Sequence, residues 1–354
     1  MSIIKNTQEP LLSLEDVNII PSKTTKIHSR TKECNARMSN GKLPVFVSPM
    51  DAVINSSNFN LFNNDFIAIY PRTIELSDRY IIFERGDWVS FGLNETKTLC
   101  DLIEQGKVNP IDDVRICIDQ ANGHMADLIE VGKRLRSLIS KNSEIMIGNI
   151  ANPRTYTTLA YNDFADWVRI GIGGGSECTT SVQTGVHYPM ASLISETHYY
   201  KSVFERGDKR ELKIIADGGI NRSDQICKAL ALGADAVMCG RMFVSCEESA
   251  SPFLYTTNNL GVSVLTRYKE YWGMSTKKAQ RNMGGEGNKN SEGRIDKVLV
   301  ECTLQERTEQ IEASIKSAMS YCNAYNLNEF RINAILTRVS PSSFRAYNKD
   351  IQNI

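Results

Sequence analysis

Eight short apolar runs recur along the chain, and their number constrains the fold more than any other feature of the sequence. The runs lie at residues 44–47, 66–69, 88–91, 114–118, 144–147, 167–170, 213–216 and 236–239. Each is rich in β-branched residues and ends in small or polar ones, as buried strands do. Helical periodicity separates several of the runs, most clearly at 126–139 and 223–232. Eight such repeats predict an α/β fold and favour a (β/α)8 TIM barrel over a doubly wound sheet.

Glycine-rich turns follow the last two of these runs. They read Asp217-Gly218-Gly219 and Gly240-Arg241. In a barrel, the turns after strands seven and eight commonly bind phosphate through backbone N–H groups. A carboxylate repels phosphate, so Asp217 is better suited to accept hydrogen bonds from a sugar diol. Together the two turns predict a nucleotide site, although Asp217-Gly218-Gly219 alone fits a plain tight turn equally well.

The decapeptide at 171–180 reads Gly-Ile-Gly-Gly-Gly-Ser-Glu-Cys-Thr-Thr. Its glycines allow positive φ and a close approach of the backbone to a ligand. A cysteine on such a loop is a candidate nucleophile once its thiol proton is removed, and the following threonines can take part in proton transfer. Cys178 is therefore the candidate catalytic residue, with a small buried thiol as the alternative.

Charge and cysteine usage exclude several classes of function. Lys plus Arg and Asp plus Glu both number 41, which predicts neither nucleic-acid nor anionic-membrane binding. An apolar stretch of membrane-spanning length is missing and the first ten residues are polar, so we expect a cytoplasmic protein without a signal peptide. The nine cysteines lack zinc-site spacing and are expected to be free thiols.

Three regions fall outside the eight repeats, and we expect all of them to belong to a single catalytic barrel domain over residues 1–354. Residues 1–43 are predicted to form a hairpin or plug at the barrel bottom. The polar, Gly- and Asn-rich segment 276–297 is predicted to be a mobile active-site flap, with a solvated linker as the alternative. Residues 303–354 are predicted to form a helix, to about residue 324, and a tail. The intervals between motifs are too short for an inserted regulatory domain.

These residues resemble the IMP dehydrogenase/GMP reductase family of purine-nucleotide enzymes, most closely its GMP reductase branch. The decapeptide and the Gln183-Thr-Gly-Val-His-Tyr-Pro189 run that follows it are the core of the resemblance. Supporting motifs are Ser48-Pro-Met-Asp51, Ala121-Asn-Gly123, Gly148-Asn149, Ala216-Asp-Gly-Gly219, Tyr271-Trp-Gly-Met-Ser275, Ser291-Glu-Gly293 and Lys316-Ser-Ala-Met-Ser-Tyr-Cys322. The resemblance spans residues 12–324 and implies NADPH-dependent reductive deamination of GMP to IMP.

The resemblance also implies a role for individual residues. Cys178 would be the nucleophile, with Thr180 and Glu292 as the proton-transfer pair. GMP would be bound by Ser48, Met50, Asn149, Ser176, Asp217, Gly218, Gly219, Gly240, Arg241, Tyr271, Gly273, Met274, Ser275, Ser291 and Gly293. NADPH would contact Asp119, Gln120, Ala121, Ile172 and Gly173, together with Ser29, Arg30, Ser317 and Ser320 of a neighbouring subunit in a homotetramer. The carbonyl groups of Gly173, Gly175 and Cys178 would bind a monovalent cation, K⁺.

The chain departs from the family pattern at several positions. Gly174 and Glu177 replace a proline and an apolar residue beside the nucleophile, and Arg241 stands where Gly or Ser is usual. Ser181 replaces a basic residue of the cation loop, and Tyr70-Pro-Arg72 replaces a His/Lys-rich turn near the cofactor. These differences bear on cofactor preference and cation dependence more than on the reaction.

Three other functions remain open on the sequence. Oxidation of IMP to XMP with NAD would need an Arg-Tyr pair on the flap, which reads Arg281-Asn282 instead. Gly293-Arg294 and Ser320-Tyr-Cys322 lean towards that dehydrogenase. A nucleotide-binding protein without turnover would not need Cys178, Thr180 and Glu292 together. A flavin-dependent barrel would also suit the Asp-Gly-Gly turn.

Overall fold

The computed structural model describes residues 10–175, 178–256, 266–274, 276–282, 294–340 and 342–344. The strands are β1 (Val17–Ile20), β2 (Val45–Val47), β3 (Ile67–Ala68), β4 (Trp88–Phe91), β5 (Arg115–Asp119), β6 (Glu144–Ile150), β7 (Trp167–Ile170), β8 (Lys213–Asp217), β9 (Ala236–Cys239), β10 (Phe253–Thr256), β11 (Thr266–Trp272), β12 (Ile295–Leu299) and β13 (Ile335–Arg338). The helices are α1 (Arg30–Glu33), α2 (Phe59–Asp65), α3 (Leu76–Glu84), α4 (Leu93–Glu104), α5 (Ala126–Leu138), α6 (Thr155–Asn162), α7 (Thr180–Thr184), α8 (Met190–Val203), α9 (Ser223–Ala231), α10 (Arg241–Val244), α11 (Lys277–Asn282), α12 (Leu304–Tyr321) and α13 (Leu327–Asn333).

The eight strands β2 to β9 form one parallel sheet in the order β3-β2-β9-β8-β7-β6-β5-β4. Tyr70, just beyond β3, forms a parallel bridge with Val89 of β4 and brings the two ends of the sheet together. Helices connect successive strands, as parallel pairing requires. The predicted (β/α)8 TIM barrel is confirmed, and all eight apolar runs coincide with its strands.

The barrel interior is filled by side chains. Phe46 packs edge-on against Trp88 and Trp167, with ring centroids 6.0 and 5.1 Å apart. Met38 lies in the turn before β2 and packs against this interior set, so it covers the end of the barrel at which the strands begin. A larger apolar layer between the strands and the helices forms the main core. Strands buried on both faces explain why the eight runs are continuously apolar rather than alternating.

The amino-terminal region differs from the hairpin that the sequence predicts. Strand β1 pairs antiparallel with β13, so its partner comes from the carboxy-terminal end of the chain, and a hairpin is not formed within the described residues 10–43. Asn35 likewise bridges to Asn326. The predicted carboxy-terminal helix is present as α12, but α13 and β13 follow it where no structure was predicted. The antiparallel pair that we expected is thus made between the two ends of the chain.

A second, smaller sheet has strands on both sides of the predicted flap in the sequence. Strands β10, β11 and β12 pair antiparallel, and α11 continues from β11. The ends of segment 276–297 are therefore helix and strand, whereas residues 283–293 lie outside the described residues. A mobile flap over residues 283–293 therefore stays a prediction.

None of the described helices combines the length and the apolar composition needed to cross a membrane.

Candidate active site

A cavity of about 1320 Å³ lies where the barrel strands end. Most predicted site residues line it: Ser48, Met50, Asp119, Ala121, Asn149, Ile172, Gly173, Gly175, Cys178, Thr180, Asp217, Gly218, Gly219, Gly240, Arg241, Tyr271, Gly273 and Met274. Pockets for a single small ligand usually measure about 300–1,000 Å³. The volume of this cavity exceeds that range, so it offers more room than one small ligand needs.

Cys178 lies in this cavity beside the start of α7. Its Sγ donates a hydrogen bond to Thr180 Oγ1 at 3.2 Å, and its backbone N–H donates to the Gly175 carbonyl at 3.1 Å. The side chain is half-buried, whereas seven of the nine cysteines are buried. Burial raises the pKa of the Cys117 thiol to about 11 and that of Cys227 to about 12, which makes those thiols poor nucleophiles. Cys178 is the cysteine placed to react with a bound ligand.

A buried charge network crosses the floor of the cavity. Arg169 of β7, whose side chain is 9% exposed, donates to Asp119 Oδ1 at 2.6 Å and to Asp217 Oδ2 at 2.8 Å. Asn149 Nδ2 donates to the same Oδ2 of Asp217 at 2.7 Å and to the Gly171 carbonyl at 2.8 Å. Burial alone would lower the pKa of Arg169, but the charges of Asp217 and Asp119 raise it well above its ordinary value. The network ties the ends of β5, β6, β7 and β8 together.

The sequence reasoning missed Arg169. The available signal was a charged residue inside the apolar run 167–170, because an unpaired charge is not tolerated in a buried strand. Its position predicts a carboxylate partner at a neighbouring strand end. Asp119 and Asp217 were both singled out as ligand contacts, and the structure shows that they also share this arginine.

The loops after β5 and β6 are joined by backbone hydrogen bonds. The N–H of Gln120 donates to Gly148, and the N–H of Gly123 donates to the Asn149 carbonyl at 2.8 Å. His124 Nε2 accepts from the Ala151 N–H at 3.0 Å, so its Nδ1–H is directed to Thr155 Oγ1. Burial lowers the pKa of His124. On this side of the cavity, which carries Asp119 and Ala121, the two loops are therefore joined by several hydrogen bonds.

The predicted phosphate turns allow close backbone approach. Gly219 has φ +77°, and a Cβ there would lie 2.6 Å from the Gly174 carbonyl oxygen, so only glycine fits. A Cβ on Gly240 would lie 2.5 Å from the Tyr271 hydroxyl. Arg241 lines the cavity next to these turns and donates to Asp296 Oδ2 at 2.8 Å, and this hydrogen bond lowers the pKa of Asp296.

A second arginine pair lies at the cavity edge near β3 and β4, and the sequence reasoning did not assign it. Arg79 donates to both carboxylate oxygens of Glu95, at 2.9 and 3.0 Å, and the Gly92 N–H donates to Glu95 Oε2 at 2.6 Å. Arg72 Nε contacts the same oxygen at 3.3 Å. Burial would raise the pKa of Glu95, but hydrogen bonds from Arg79 and the Gly92 N–H, with the charges of Arg72 and Arg79, hold it at about 2.

Two of the three carbonyl groups predicted to bind a monovalent cation, those of Gly173 and Gly175, already accept hydrogen bonds from the chain. Ser181 Oγ donates to the Gly173 carbonyl at 3.0 Å, and the Cys178 N–H donates to that of Gly175 at 3.1 Å. A carbonyl oxygen has two lone pairs, so each keeps a second acceptor position. These carbonyl groups could therefore bind a cation, although hydrogen bonds from the chain already use part of their acceptor capacity.

The four residues predicted to serve a neighbouring subunit lie apart from the cavity lining. Ser29 and Arg30 are at the start of α1, and Arg30 Nη1 donates to Ser317 Oγ of α12 at 2.8 Å. Ser320 lies one turn further along α12. The two predicted pairs therefore form one group on the surface.

Five other predicted site residues lie outside the described residues: Ser176, Ser275, Ser291, Glu292 and Gly293. Glu177 lies there as well. Gln120 is described but does not line the cavity.

The sequence of the chain matches the family model for the IMP dehydrogenase / GMP reductase domain over residues 98–348. It is 28% identical to a GMP reductase of Staphylococcus carnosus over 329 residues, which cover 91% of this chain and 94% of that protein. It is also 28% identical to an inosine-5′-monophosphate dehydrogenase of Chlorobaculum tepidum over 242 residues, or 65% of this chain and 46% of that one. A dehydrogenase of Borreliella burgdorferi is 29% identical, with 56% of its length covered. The chain thus spans about half the length of the dehydrogenases that it matches.

Proposed function

Because the chain belongs to the IMP dehydrogenase / GMP reductase family, we propose that it is a GMP reductase that converts GMP to IMP and ammonia with NADPH. The observation that carries this proposal is the share of this chain that aligns with members of each branch. The alignment with the Staphylococcus carnosus GMP reductase takes in 91% of this chain, whereas the alignments with the two dehydrogenases take in 65% each. Since the identities are equal within a point, coverage is what separates the two branches.

Cys178 is the proposed nucleophile, and its Sγ would form a bond to C2 of the purine. The hydrogen bond from Sγ to Thr180 Oγ1 at 3.2 Å gives the thiol proton a path away from sulfur. We propose that Thr180 passes this proton to Glu292. The same pair then returns a proton to the exocyclic nitrogen as the C2–N bond breaks, because an amine leaves readily only when protonated. Reduced nicotinamide, when bound, supplies the hydride that C2 needs before the C2–S bond breaks.

The nucleotide would lie across the strand ends. Asp217 uses Oδ2 for Arg169 and Asn149, and its Oδ1 accepts no hydrogen bond from the described residues, which suits a ribose diol. The phosphate would lie at the glycine turns and Arg241. Ser176 and Tyr271 would be further contacts of the ribose and phosphate. The base would be held by Ser48, Met50, Asn149, Gly273, Met274 and Ser275, and Ser291 and Gly293 are proposed further contacts of the nucleotide.

The cofactor would occupy the side of the cavity at Asp119, Ala121, Ile172 and Gly173. The cavity volume of about 1320 Å³ supports the proposal that the nucleotide and the cofactor bind there together. We also propose that the cofactor is NADPH rather than NADH. K⁺ would bind the carbonyl groups of Gly173, Gly175 and Cys178. No proton transfer or substrate contact in this account depends on the cation.

We also propose a homotetramer. The surface group around Arg30 and Ser317 carries residues with a predicted cofactor role, yet it lies apart from the cavity of its own chain. A neighbouring subunit would give these residues a cofactor to contact. Its oligomeric state can be measured by light scattering.

The direction of the reaction tests the proposal. The purified protein is incubated with GMP and NADPH, and loss of reduced-nicotinamide absorbance is followed together with release of ammonia. In parallel it receives IMP and NAD, and formation of XMP is measured. A GMP reductase gives IMP and ammonia in the first assay and at most traces of XMP in the second. Sustained XMP formation would make the protein an IMP dehydrogenase instead.

A further inference from the structure

Cys246 and Cys302 lie opposite each other on adjacent backbone segments, and neither lines the cavity. They form an isolated parallel bridge. The Glu247 N–H donates to the Cys302 carbonyl at 3.0 Å, and the Glu301 N–H donates to the Ser245 carbonyl at 2.9 Å. Residues paired in register project their side chains to the same face of the pair. The two thiols are free in the structure.

The spacing of this bridge suits a disulfide bond. Neighbouring strands lie about 4.8 Å apart, and a disulfide joins residues whose Cα atoms are about 4.4–6.8 Å apart. Burial and the neighbouring Cys302 thiol together raise the pKa of Cys246 to about 12. Burial also raises the pKa of Cys302, while the charge of Arg307 and a hydrogen bond from Cys246 oppose the rise. The two sulfur atoms are therefore neighbours, and a bond between them needs no large movement of the backbone.

Two buried cations lie beside the pair. Arg307 is 7% exposed and donates from Nη2 to Ser245 Oγ at 3.0 Å, while its Nε has no hydrogen-bond partner among the described residues. Lys269 is 1% exposed and donates to two backbone carbonyl groups of the loop that follows Cys246, at 2.7 Å each. Cationic side chains favour the thiolate form of a nearby cysteine. A thiolate formed here would thus have positive charge close to it.

The two thiols differ in their access to solvent. Cys302 is half-buried, whereas Cys246 is completely buried. A reagent from solution therefore reaches Cys302 first, and Cys246 is placed to react with the product. This is the arrangement of an attacking thiol and a resolving thiol.

We propose that Cys246 and Cys302 are a reversible redox pair, which a small-molecule disulfide oxidises to an intramolecular disulfide bond. The Cys302 thiolate attacks one sulfur atom of the reagent, whose S–S bond breaks and releases a first small thiol. Cys246 Sγ then attacks Cys302 Sγ and displaces the second small thiol, which leaves a Cys246–Cys302 bond. The two cysteine protons pass to the departing sulfur atoms. The cysteines are thus oxidised, and the reagent is reduced to two thiols.

The bond would close a covalent loop over residues 246–302. This loop contains β10, β11 and β12 and the cavity residues Tyr271, Gly273 and Met274. A disulfide that closes a long loop stabilises a fold because it restricts the unfolded chain. Since the bridge already holds both backbone segments in place, oxidation is expected to stabilise the small sheet without reshaping the cavity. Formation of the bond does not depend on the proposed activity.

Disulfide mapping of the folded protein tests the proposal. The full chain is incubated with oxidised glutathione in the absence of denaturant, its remaining thiols are alkylated, and its peptides are identified by mass spectrometry. We expect a linked Cys246–Cys302 peptide that dithiothreitol removes. In Cys246→Ser, Cys302 should stop at the mixed disulfide with glutathione, and in Cys302→Ser, Cys246 should stay reduced. Cys34→Ser is the matched control, because it also removes one buried thiol and should leave the linked peptide unchanged.

Urea unfolding measures the effect of the bond on stability. The oxidised wild type should unfold at a higher urea concentration than the reduced protein, and this shift should vanish in Cys246→Ser and in Cys302→Ser. A linked peptide that forms only when oxidised glutathione is added in urea would overturn the proposal, because the folded protein would then not bring the two sulfur atoms together. Free thiols at both positions, or glutathione retained on Cys302 of the wild type, would overturn it as well.

Discussion

Arg169→Met tests whether the buried network, rather than the barrel core alone, holds the floor of the site. The substitution keeps an apolar side chain of similar length but removes the partner of Asp119 and Asp217, whose side chains are 20% and 13% exposed. Breaking a buried ion pair by removing one partner costs about 3–5 kcal/mol, because the remaining charge has no partner. Asp217 keeps the hydrogen bond from Asn149, so Asp119 bears most of the loss.

Urea unfolding followed by tryptophan fluorescence measures this cost, since Trp88 and Trp167 pack in the barrel interior. Arg134→Met is the matched control. Arg134 also pairs with two carboxylates, Asp101 and Glu104, but at 37% exposure, so its loss should barely move the unfolding midpoint. Adding Asp119→Asn and Asp217→Asn to Arg169→Met removes the unpaired charges and should recover much of the stability. Equal effects of the two arginine substitutions, or no recovery in the triple variant, would refute the reasoning.

Two further predictions concern the nucleophile and acid stability. Cys178→Ala should abolish turnover, while GMP binding measured by calorimetry stays within about tenfold, because the ribose and phosphate contacts persist; substantial residual turnover would contradict covalent catalysis. The pKa of Glu95 falls from 4.5 to about 2 on folding, so its contribution to stability is present above about pH 4.5 and is lost as the pH falls towards 2. Glu95→Gln should therefore reduce stability at neutral pH by roughly 3 kcal/mol and lose less than the wild type between about pH 5 and pH 3. Parallel acid profiles of the two proteins in urea unfolding would rule this out.

The barrel could be predicted because each strand is buried on both faces and is therefore a continuous apolar run. The pairing of β1 with β13 could not, since it joins residues about 320 positions apart and neither strand carries a signal that names its partner. The two ends of the chain have polar and apolar residues mixed, and a local hairpin was the simplest reading of residues 1–43.

Sequence reasoning proposed candidate site residues where the chemistry depends on residue type. It missed residues whose role depends on partners from other strands and helices. The structure brings Cys178, Thr180, Asp217 and the glycine turns into one cavity. Their chemical roles stay predictions, which follow from residue type and from the family resemblance. Arg169 joins two carboxylates from different strands, and such a contact exists only once the barrel is closed. The same holds for the Arg72, Arg79 and Glu95 cluster, which brings together the turn after β3, α3 and α4.

We propose that a hydride, and not water, resolves the covalent intermediate at C2 of the purine. It is tested most directly by turnover of GMP with NADPH deuterated at the transferable position, followed by mass spectrometry and NMR of the nucleotide product. We expect IMP with one deuterium at C2 and release of one ammonia for each NADPH oxidised. IMP without deuterium, or XMP as the product, would contradict it.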